Sequence, residues 1–478
     1  MIGKPSCPNG MRCLGKSWVA NMGKLDKIYT ISPLWLQNTM VSTYGAYWHW
    51  ARFGGNYQNF EDQYRSRQTF TQNDWQAYQD LALKQLLSSC VHNVPYYRDN
   101  WSQSQKEAAL SGALSDLPLL EKEPLRASAA QFKDSTRHPF PSFTFYTSGT
   151  SGTPIASLYT LSELRSSMAL REVRSANWAG VSFSLPRATF SGRLVEPDPN
   201  NDQHVYRYNA AEKQVYFSAF HLKPTTARFY IDALLKHKVV WMTGYAVSFY
   251  LLARYILDQS LPVPPLKAII TTSEKVTQPM REVIESAFKC RVFEEYSTVE
   301  NALFASECEH GRLHVSPDAG VVEILRPDGS ACAPGEVGEV VATCLLRSYQ
   351  PLVRFRLGDL AAWDPEPCPC GRYMPVIKEV LGRIEDVITG PDGRQMVRFH
   401  GIFVNQPHVI EGQVIQKTLQ DFVVKVVPTP GFSEADIQDI QARMHQRLGE
   451  NINVVIEQVQ TIPRTSAGKF KAVISKVK

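Results

Sequence analysis

What this sequence lacks narrows its class before any motif is read. No stretch approaches the ~18 consecutive apolar residues of a membrane-spanning helix, and the opening MIGKPSCPNGMRC has no apolar core of a secretory signal. The expected address is therefore the cytoplasm, with no integral membrane segment. Lys and Arg form no long block and the net charge is only +5, which argues against nucleic acid as a partner. Cysteine is sparse, nine in 478 residues, and in an unsignalled chain that pattern argues for free thiols or metal ligands rather than a disulfide frame. No internal repeat or low-complexity tract is present. What is there is apolar enough, at 44% hydrophobic residues, to fill the cores of two or three domains.

Residues 1–140 are aromatic-rich and predict helices; Trp75, Tyr78, Ala82, Leu83, Leu86, Leu87 and Cys90 recur at helical spacing until VPYY breaks the run. From 141 to 380, short β-branched runs (239–243, 267–272, 321–325, 339–343) alternate with helical patterns, which predicts an α/β sheet core with added β structure. The texture changes after GRIED (382–386). A strand at 421–427, a helix opened by the capping box Ser433-x-x-Asp436 and striped by Ile437, Ile440, Met444 and Leu448, and a strand VVIEQV predict a small α+β domain. The expected division is 1–381, a hinge at 382–386, and a mobile lid over 387–478.

The chemistry is concentrated in five stretches. FYTSGTSGTP (145–154) puts hydroxyls and the backbone freedom of Gly149 and Gly152 on one loop behind a strand, a setting that can wrap an anion with N–H groups and side-chain hydroxyls. It is no Walker loop, because no Lys follows Gly152. EEYSTVEN (294–301) offers an aromatic, hydroxyls and a carboxylate. PLVRFRLGD (351–359) ends in Asp359 behind Gly358, where a carboxylate can accept both hydroxyls of a ribose. GRIED lies at the texture break, and PRTSAGKF (463–470) sets Lys469 on a small-residue turn. Each has a plain alternative: a Ser/Gly turn, an ion pair for Arg354 or Arg383, a solvated terminal charge for Lys469.

Taken together and in this order, TSGTSGTP, YSTVE, PLVRFRLGD, GRIED and PRTSAGK resemble the adenylate-forming ligase superfamily and, within it, the phenylacetate-CoA ligase-like group. The resemblance implies an enzyme that joins a carboxylic acid to ATP, releases pyrophosphate and passes the acyl group to a nucleophile. It implies that Thr147, Ser148, Gly149, Thr150, Ser151, Gly152 and Thr153 hold the phosphates, that Ser273, Glu274 and Tyr296 line the adenine, and that Thr298 meets the α-phosphate. Glu300 would hold Mg²⁺, Asp359 the ribose with help from Arg383, and Lys469 would bridge the substrate carboxylate and α-phosphate. Because Lys469 lies so late in the chain, the last domain would have to swing onto the first, with 382–386 as hinge. Where the family has Asp two places after the hinge Arg, this chain has Glu385 followed by Asp386.

Cys308, His310 and His314 in ECEHGRLH and the Cys368-x-Cys370 pair suit a tetrahedral zinc site. Related phenylacetate-CoA ligase-like proteins carry a structural zinc, and this likeness selects Cys308, His314, Cys368 and Cys370, with His310 as the alternative ligand. Four protein ligands leave no open position for catalysis. SPLWLQN, ATFSGRLV, RYN, TGYAVSFY and the tail PRTSAGKFKAVISKV resemble the capsular-polysaccharide, CapK-type branch. That branch occurs in bacterial envelope-sugar loci, and after the hinge TGPDGRQMVRFHG replaces the glycine-containing segment that lines the pantetheine tunnel in ordinary CoA ligases, which points to an amine or hydroxyl acceptor in surface polysaccharide synthesis and a uronic or amino acid substrate; Arg187, Arg193 and Arg207 are candidate grips on an acidic sugar, with surface or ion-paired arginines as the plain alternative. An aryl- or acyl-CoA ligase with CoA as the thiol acceptor, and a nucleotide-binding protein without catalysis, stay open as alternatives.

Overall fold

A computed structural model describes residues 24–147, 155–191, 195–196, 201–383, 388–391, 395–396, 402–403, 406–465 and 470–477. Helices occupy nearly all of the described chain up to Phe132. The helix Gln72–Asn93 starts at a reciprocal cap between Thr71 and Asp74 and buries Trp75, Leu83, Leu86, Leu87 and Cys90 along one stripe. It stops at Val94 because Pro95 disfavours a helical predecessor; Pro95 then opens the next helix, Pro95–Asn100.

Twelve strands form one sheet. Five of them, Gln214–Ser218, Arg187–Ser191, Trp241–Gly244, Ala268–Thr272 and Arg291–Ser297, run parallel in that spatial order. The helices Ala227–Lys236, Ala246–Gln259 and Gln278–Phe288 connect them, burying Tyr230, Phe249 and Phe288 against the strand residues Phe190 and Phe217. Past Arg291–Ser297 the sheet turns antiparallel through Phe304–Glu307, Leu313–Val315, Val376–Arg383, Phe355–Trp363, Val337–Cys344 and Gly320–Leu325. A separate hairpin, Ser142–Tyr146 with Ala156–Thr160, carries the glycine-threonine loop at its turn.

The last part of the chain has its own four-stranded sheet, with Asp421–Pro428 and Val409–Gln416 at the centre and Asn453–Gln458 and Val473–Ser475 outside. The helix Glu434–Leu448, capped by Ser433 and Asp436, covers it with Ile440, Met444 and Leu448. These side chains close a core with Val414, Phe422, Val424 and Val426. The fold is therefore α/β, a large mixed sheet with helices followed by a small α+β lobe. Of the expected hinge, Gly382 and Arg383 end the strand Val376–Arg383; residues 384–386 lie outside the described residues. Among the described residues no helix is long and apolar enough to cross a membrane.

Candidate active site

In a parallel sheet the backbone leaves each strand at its carboxyl end, and loops there are free to carry polar side chains over a buried scaffold. Three such exits adjoin one another. Trp241–Gly244 leads into Tyr245, Ala268–Thr272 into Ser273 and Glu274, and Arg291–Ser297 into Thr298 and Glu300. Gly244 has φ +141°, and a Cβ there would lie 2.0 Å from the Phe190 carbonyl oxygen, so only glycine lets the chain turn so close to the neighbouring strand. Ser273 also takes a positive φ, +67°.

Tyr296 and Asp359 meet where the parallel and antiparallel halves join. The Tyr296 hydroxyl donates to Asp359 Oδ2 at 2.8 Å, and Arg383 Nε lies 2.9 Å from Oδ1. Asp359 and Arg383 are register partners on adjacent strands, and Arg383 Nη1 also donates to the Leu357 carbonyl at 2.7 Å. Burial, reinforced by the Asp359 carboxylate, pushes the Tyr296 hydroxyl well above its ordinary pKa, so it stays a neutral donor. Gly358 has φ +74°, a backbone conformation that favours glycine, and a Cβ there would come within 2.8 Å of Lys122 Nζ.

The turn after Tyr296 is pinned from two sides. Tyr159 OH donates to the Val299 carbonyl at 2.6 Å, and Asn301 Nδ2 donates to Ser167 Oγ at 2.8 Å. Thr298 Oγ1 accepts the Ala302 amide at 3.4 Å. Glu300 sits in this turn with only 6% of its surface exposed. Tyr159 belongs to the hairpin that bears the glycine-threonine loop, so loop and turn share one support. Thr147 closes the stem of that loop: its Oγ1 accepts the Ile155 amide at 2.9 Å and its own amide reaches the Ile155 carbonyl at 3.1 Å. Ser148, Gly149, Thr150, Ser151, Gly152, Thr153 and Lys469 lie outside the described residues.

Glu274 links the two lobes. Its Oε2 accepts the Val247 amide at 3.0 Å in the first turn of the helix Ala246–Gln259, and its Oε1 accepts the Phe470 amide at 2.8 Å. Phe470, the residue after Lys469 in the chain, thus meets the loop that leaves the strand Ala268–Thr272. Arg464 lies under the Phe470 ring, 4.9 Å from its centroid, and pairs with Glu411 through Nη1 at 3.1 Å. Neither the Glu274 bridge nor the Tyr159 support has a local sequence signal, because each joins residues more than a hundred positions apart.

A second constellation lies at the antiparallel side. One ligand atom from each of Cys308, His314, Cys368 and Cys370 falls within 4.8 Å of the others. Cys308 Sγ and Cys368 Sγ are 3.6 Å apart, and Cys370 Sγ is 3.3 Å from His314 Nε2. His314 Nδ1 is 3.1 Å from the Met374 carbonyl, which fixes the ring with Nε2 turned to the sulfurs. Burial holds the His314 imidazole down to about 4, hence neutral at pH 7 as a metal ligand must be. His310 is exposed and outside the group; its amide donates to Cys308 Sγ at 3.3 Å. Cys90 and Cys344 are buried free thiols in the hydrophobic core.

Two of the candidate sugar-gripping arginines are held internally. Arg187 Nη2 bonds Glu212 at 2.8 Å, and Arg207 Nη2 bonds Glu196 at 2.9 Å, both arginines almost fully buried. Arg193 lies outside the described residues. Arg354 is likewise an ion-pair partner, 2.9 Å from Glu323.

Residues 390–476 match the CapK C-terminal domain family. The chain is 26% identical over 475 residues to protein CapK of Staphylococcus aureus, covering 95% of this chain and all of that protein. The chain thus resembles CapK over nearly its whole length. A phenylacetate-coenzyme A ligase of Thermus thermophilus is 24% identical over 239 residues, 44% of this chain and 54% of that one. Among solved structures, a 2-hydroxyisobutyryl-CoA ligase in its postadenylation state, in complex with R3-HIB-AMP, superimposes with a TM-score of 0.64 at 18% identity over 86% of this chain and 91% of that one. The same ligase in its thioesterification state, in complex with 2-HIB-AMP and CoA, gives 0.51 at 19% identity over 86% of this chain and 92% of that one.

Proposed function

We propose that this CapK-type chain is an ATP-dependent, AMP-forming carboxylate ligase. The observation that carries this reading is the Asp359 carboxylate, held between the Tyr296 hydroxyl and Arg383 beside the strand ends where Glu274 receives the residue that follows Lys469. Each Asp359 oxygen keeps a lone pair after those bonds, enough to accept the two hydroxyls of a ribose. Tyr296 presents its ring to the adenine, Ser273 and Glu274 border it, and Thr147 with residues 148–153 receives the β- and γ-phosphates. Thr298 meets the α-phosphate. Glu300, a buried carboxylate, fits a Mg²⁺ ligand, and the ion supplies positive charge to the phosphates. Lys469 offsets the negative charge that builds as the substrate carboxylate attacks the α-phosphate, an electrostatic contribution that grows inside a closed, drier site.

The higher similarity to the postadenylation state supports a lobe arrangement suited to this first half-reaction. Residues 382–386 then act as the hinge between the ligase lobe, 1–381, and the lid, 387–478. The acyl acceptor in this reading is an amine or hydroxyl of a bacterial surface polysaccharide precursor, and the acid a uronic or amino acid. The likeness to CoA ligases favours a second reading, transfer to CoA. A structural zinc on Cys308, His314, Cys368 and Cys370 completes the proposal: two sulfurs each ~2.3 Å from a tetrahedral zinc sit about 3.8 Å apart, close to the 3.6 Å between Cys308 and Cys368.

The test is pyrophosphate release across uronic, amino, aromatic and fatty acids, with CoA or hydroxylamine as trapping nucleophile. Release that depends on one acid class supports the ligase, and the mass of the trapped product names the acceptor. ATP binding with no release for any acid refutes it in favour of a nucleotide-binding protein.

A further inference from the structure

The hairpin Ser142–Tyr146 with Ala156–Thr160 pairs with no other strand among the described residues. A two-stranded hairpin is marginal alone, and backbone groups on its free edge need partners once they are buried. Side chains supply that edge. Gln350 Oε1 accepts the Leu158 amide at 2.9 Å, and Gln350 Nε2 donates to the Ala156 carbonyl at 3.2 Å, so one side-chain amide does the bonding of a third strand. Glu163 Oε2 accepts the Thr160 amide, further along the same edge, at 2.8 Å.

Gln350 lies in the loop between the strands Val337–Cys344 and Phe355–Trp363 and is fully buried. Glu163 Oε1 holds that loop as well, through the Ser348 and Tyr349 amides at 2.9 and 2.8 Å. Arg347 Nη2 donates to Gln350 Oε1 at 3.0 Å and to the Gln350 carbonyl at 3.1 Å. A guanidinium and an amide N–H only donate and a carbonyl only accepts, so the Gln350 side chain fits in one orientation. Arg347 is 0% exposed, and its Nε and Nη1 have no hydrogen-bond partner among the described residues. A cation buried with so few partners destabilises the fold, and an apolar side chain of similar size would fill the space better. The guanidinium lies 4.7 Å over the Tyr159 ring, and the Tyr159 hydroxyl donates to the Val299 carbonyl at 2.6 Å. Arg347, Gln350 and Tyr159 thus connect the large sheet to the hairpin, and the hairpin to the turn that bears Glu300.

We propose that Gln350 and Arg347 are positioning residues: they set the hairpin, and through Tyr159 the turn that bears Glu300, where the outer phosphates of ATP and their Mg²⁺ are received. This rests on the role given to Glu300 in the ligase reading above. Directed bonds fix the orientation of the hairpin as well as its distance. Both matter, because a displacement of about 1 Å at a reacting site costs up to about 10² in rate. Gln350 and Arg347 are themselves fully buried, so they act on a ligand only through the hairpin and the turn.

The test is calorimetric binding of ATP with Mg²⁺, and of AMP, to the full chain and to its Gln350→Leu and Tyr159→Phe variants. AMP keeps the adenine and ribose but lacks the outer phosphates that Glu300 serves through Mg²⁺. Gln350→Leu should weaken ATP binding about tenfold and Tyr159→Phe about threefold, with AMP affinity within about twofold in both. Tyr159→Phe keeps the ring and its contact with Arg347, so it decides the matter if Gln350→Leu does not fold. ATP and AMP weakened alike would mean a purely structural role, and unchanged ATP affinity in the variants would mean none; either result overturns the proposal. An unaltered protein that binds neither nucleotide overturns the ligase reading first and this assignment with it.

Discussion

Glu274 and Phe470 are 196 positions apart in the chain and 2.8 Å apart in space. The same carboxylate holds the Val247 amide at the start of a buried helix, so one side chain ties the scaffold of the large sheet to the residue that follows Lys469. Replacing Glu274 with Ala should slow adenylate formation about tenfold, the scale of losing a hydrogen bond to a charged acceptor. Acyl transfer from a supplied acyl-adenylate should change far less. Equal losses in both half-reactions would show that Glu274 acts through general stability and not through docking.

Lys469→Ala should lower pyrophosphate release by about 10² to 10³, the cost of deleting one electrostatic contact to a developing charge, while ATP binding measured calorimetrically stays close to that of the unaltered protein. Unchanged release would remove Lys469 from its role.

Asp359→Ala should raise the KM for ATP by about 10- to 100-fold, because a charged hydrogen-bond acceptor is lost. Tyr296→Phe keeps the ring and loses only the 2.8 Å bond to Asp359, so its effect should be several-fold smaller. The ranking fails if the Phe variant is the weaker binder of the two.

Protein purified without added metal should contain about one zinc per chain. Chelation should lower the melting temperature, and Cys368→Ser should do the same, because the four ligands draw together the strands Phe304–Glu307 and Leu313–Val315 and the loop 368–370. Kinetic constants at a temperature where the variant stays folded should scarcely move. A zinc content near zero ends the assignment.

Glu294 supplies a pH signature. Burial, then the neighbouring Glu307 carboxylate, push it from the ordinary 4.5 up to about 7. Between those values the folded state holds a proton that the unfolded state has released, so this group's contribution to stability falls as pH rises through that window. Glu294→Gln removes the effect. Its unfolding free energy, relative to the unaltered protein, should be higher at pH 8 than at pH 5, by an amount of order 1 kcal/mol given that the side chain is 31% exposed. A gap independent of pH would contradict this.

The sequence by itself determined the pieces whose causes are local. The capping pair Ser433/Asp436, the helix break at VPYY and the β-branched strand runs could be read directly, since caps, proline sterics and side-chain alternation act over a few residues. Ordered motifs gave the resemblance to the superfamily and, with it, the candidate roles of Tyr296, Asp359 and Arg383. Only the tertiary structure decided which of these residues meet. Asp359 reaches Arg383 through strand register and Tyr296 across the turn of the sheet from parallel to antiparallel. It also spent Arg187 and Arg207 on internal carboxylates, and gathered three sulfurs and a nitrogen from segments more than fifty residues apart. Such contacts depend on how distant elements pack against one another, and no spacing within a single segment encodes that.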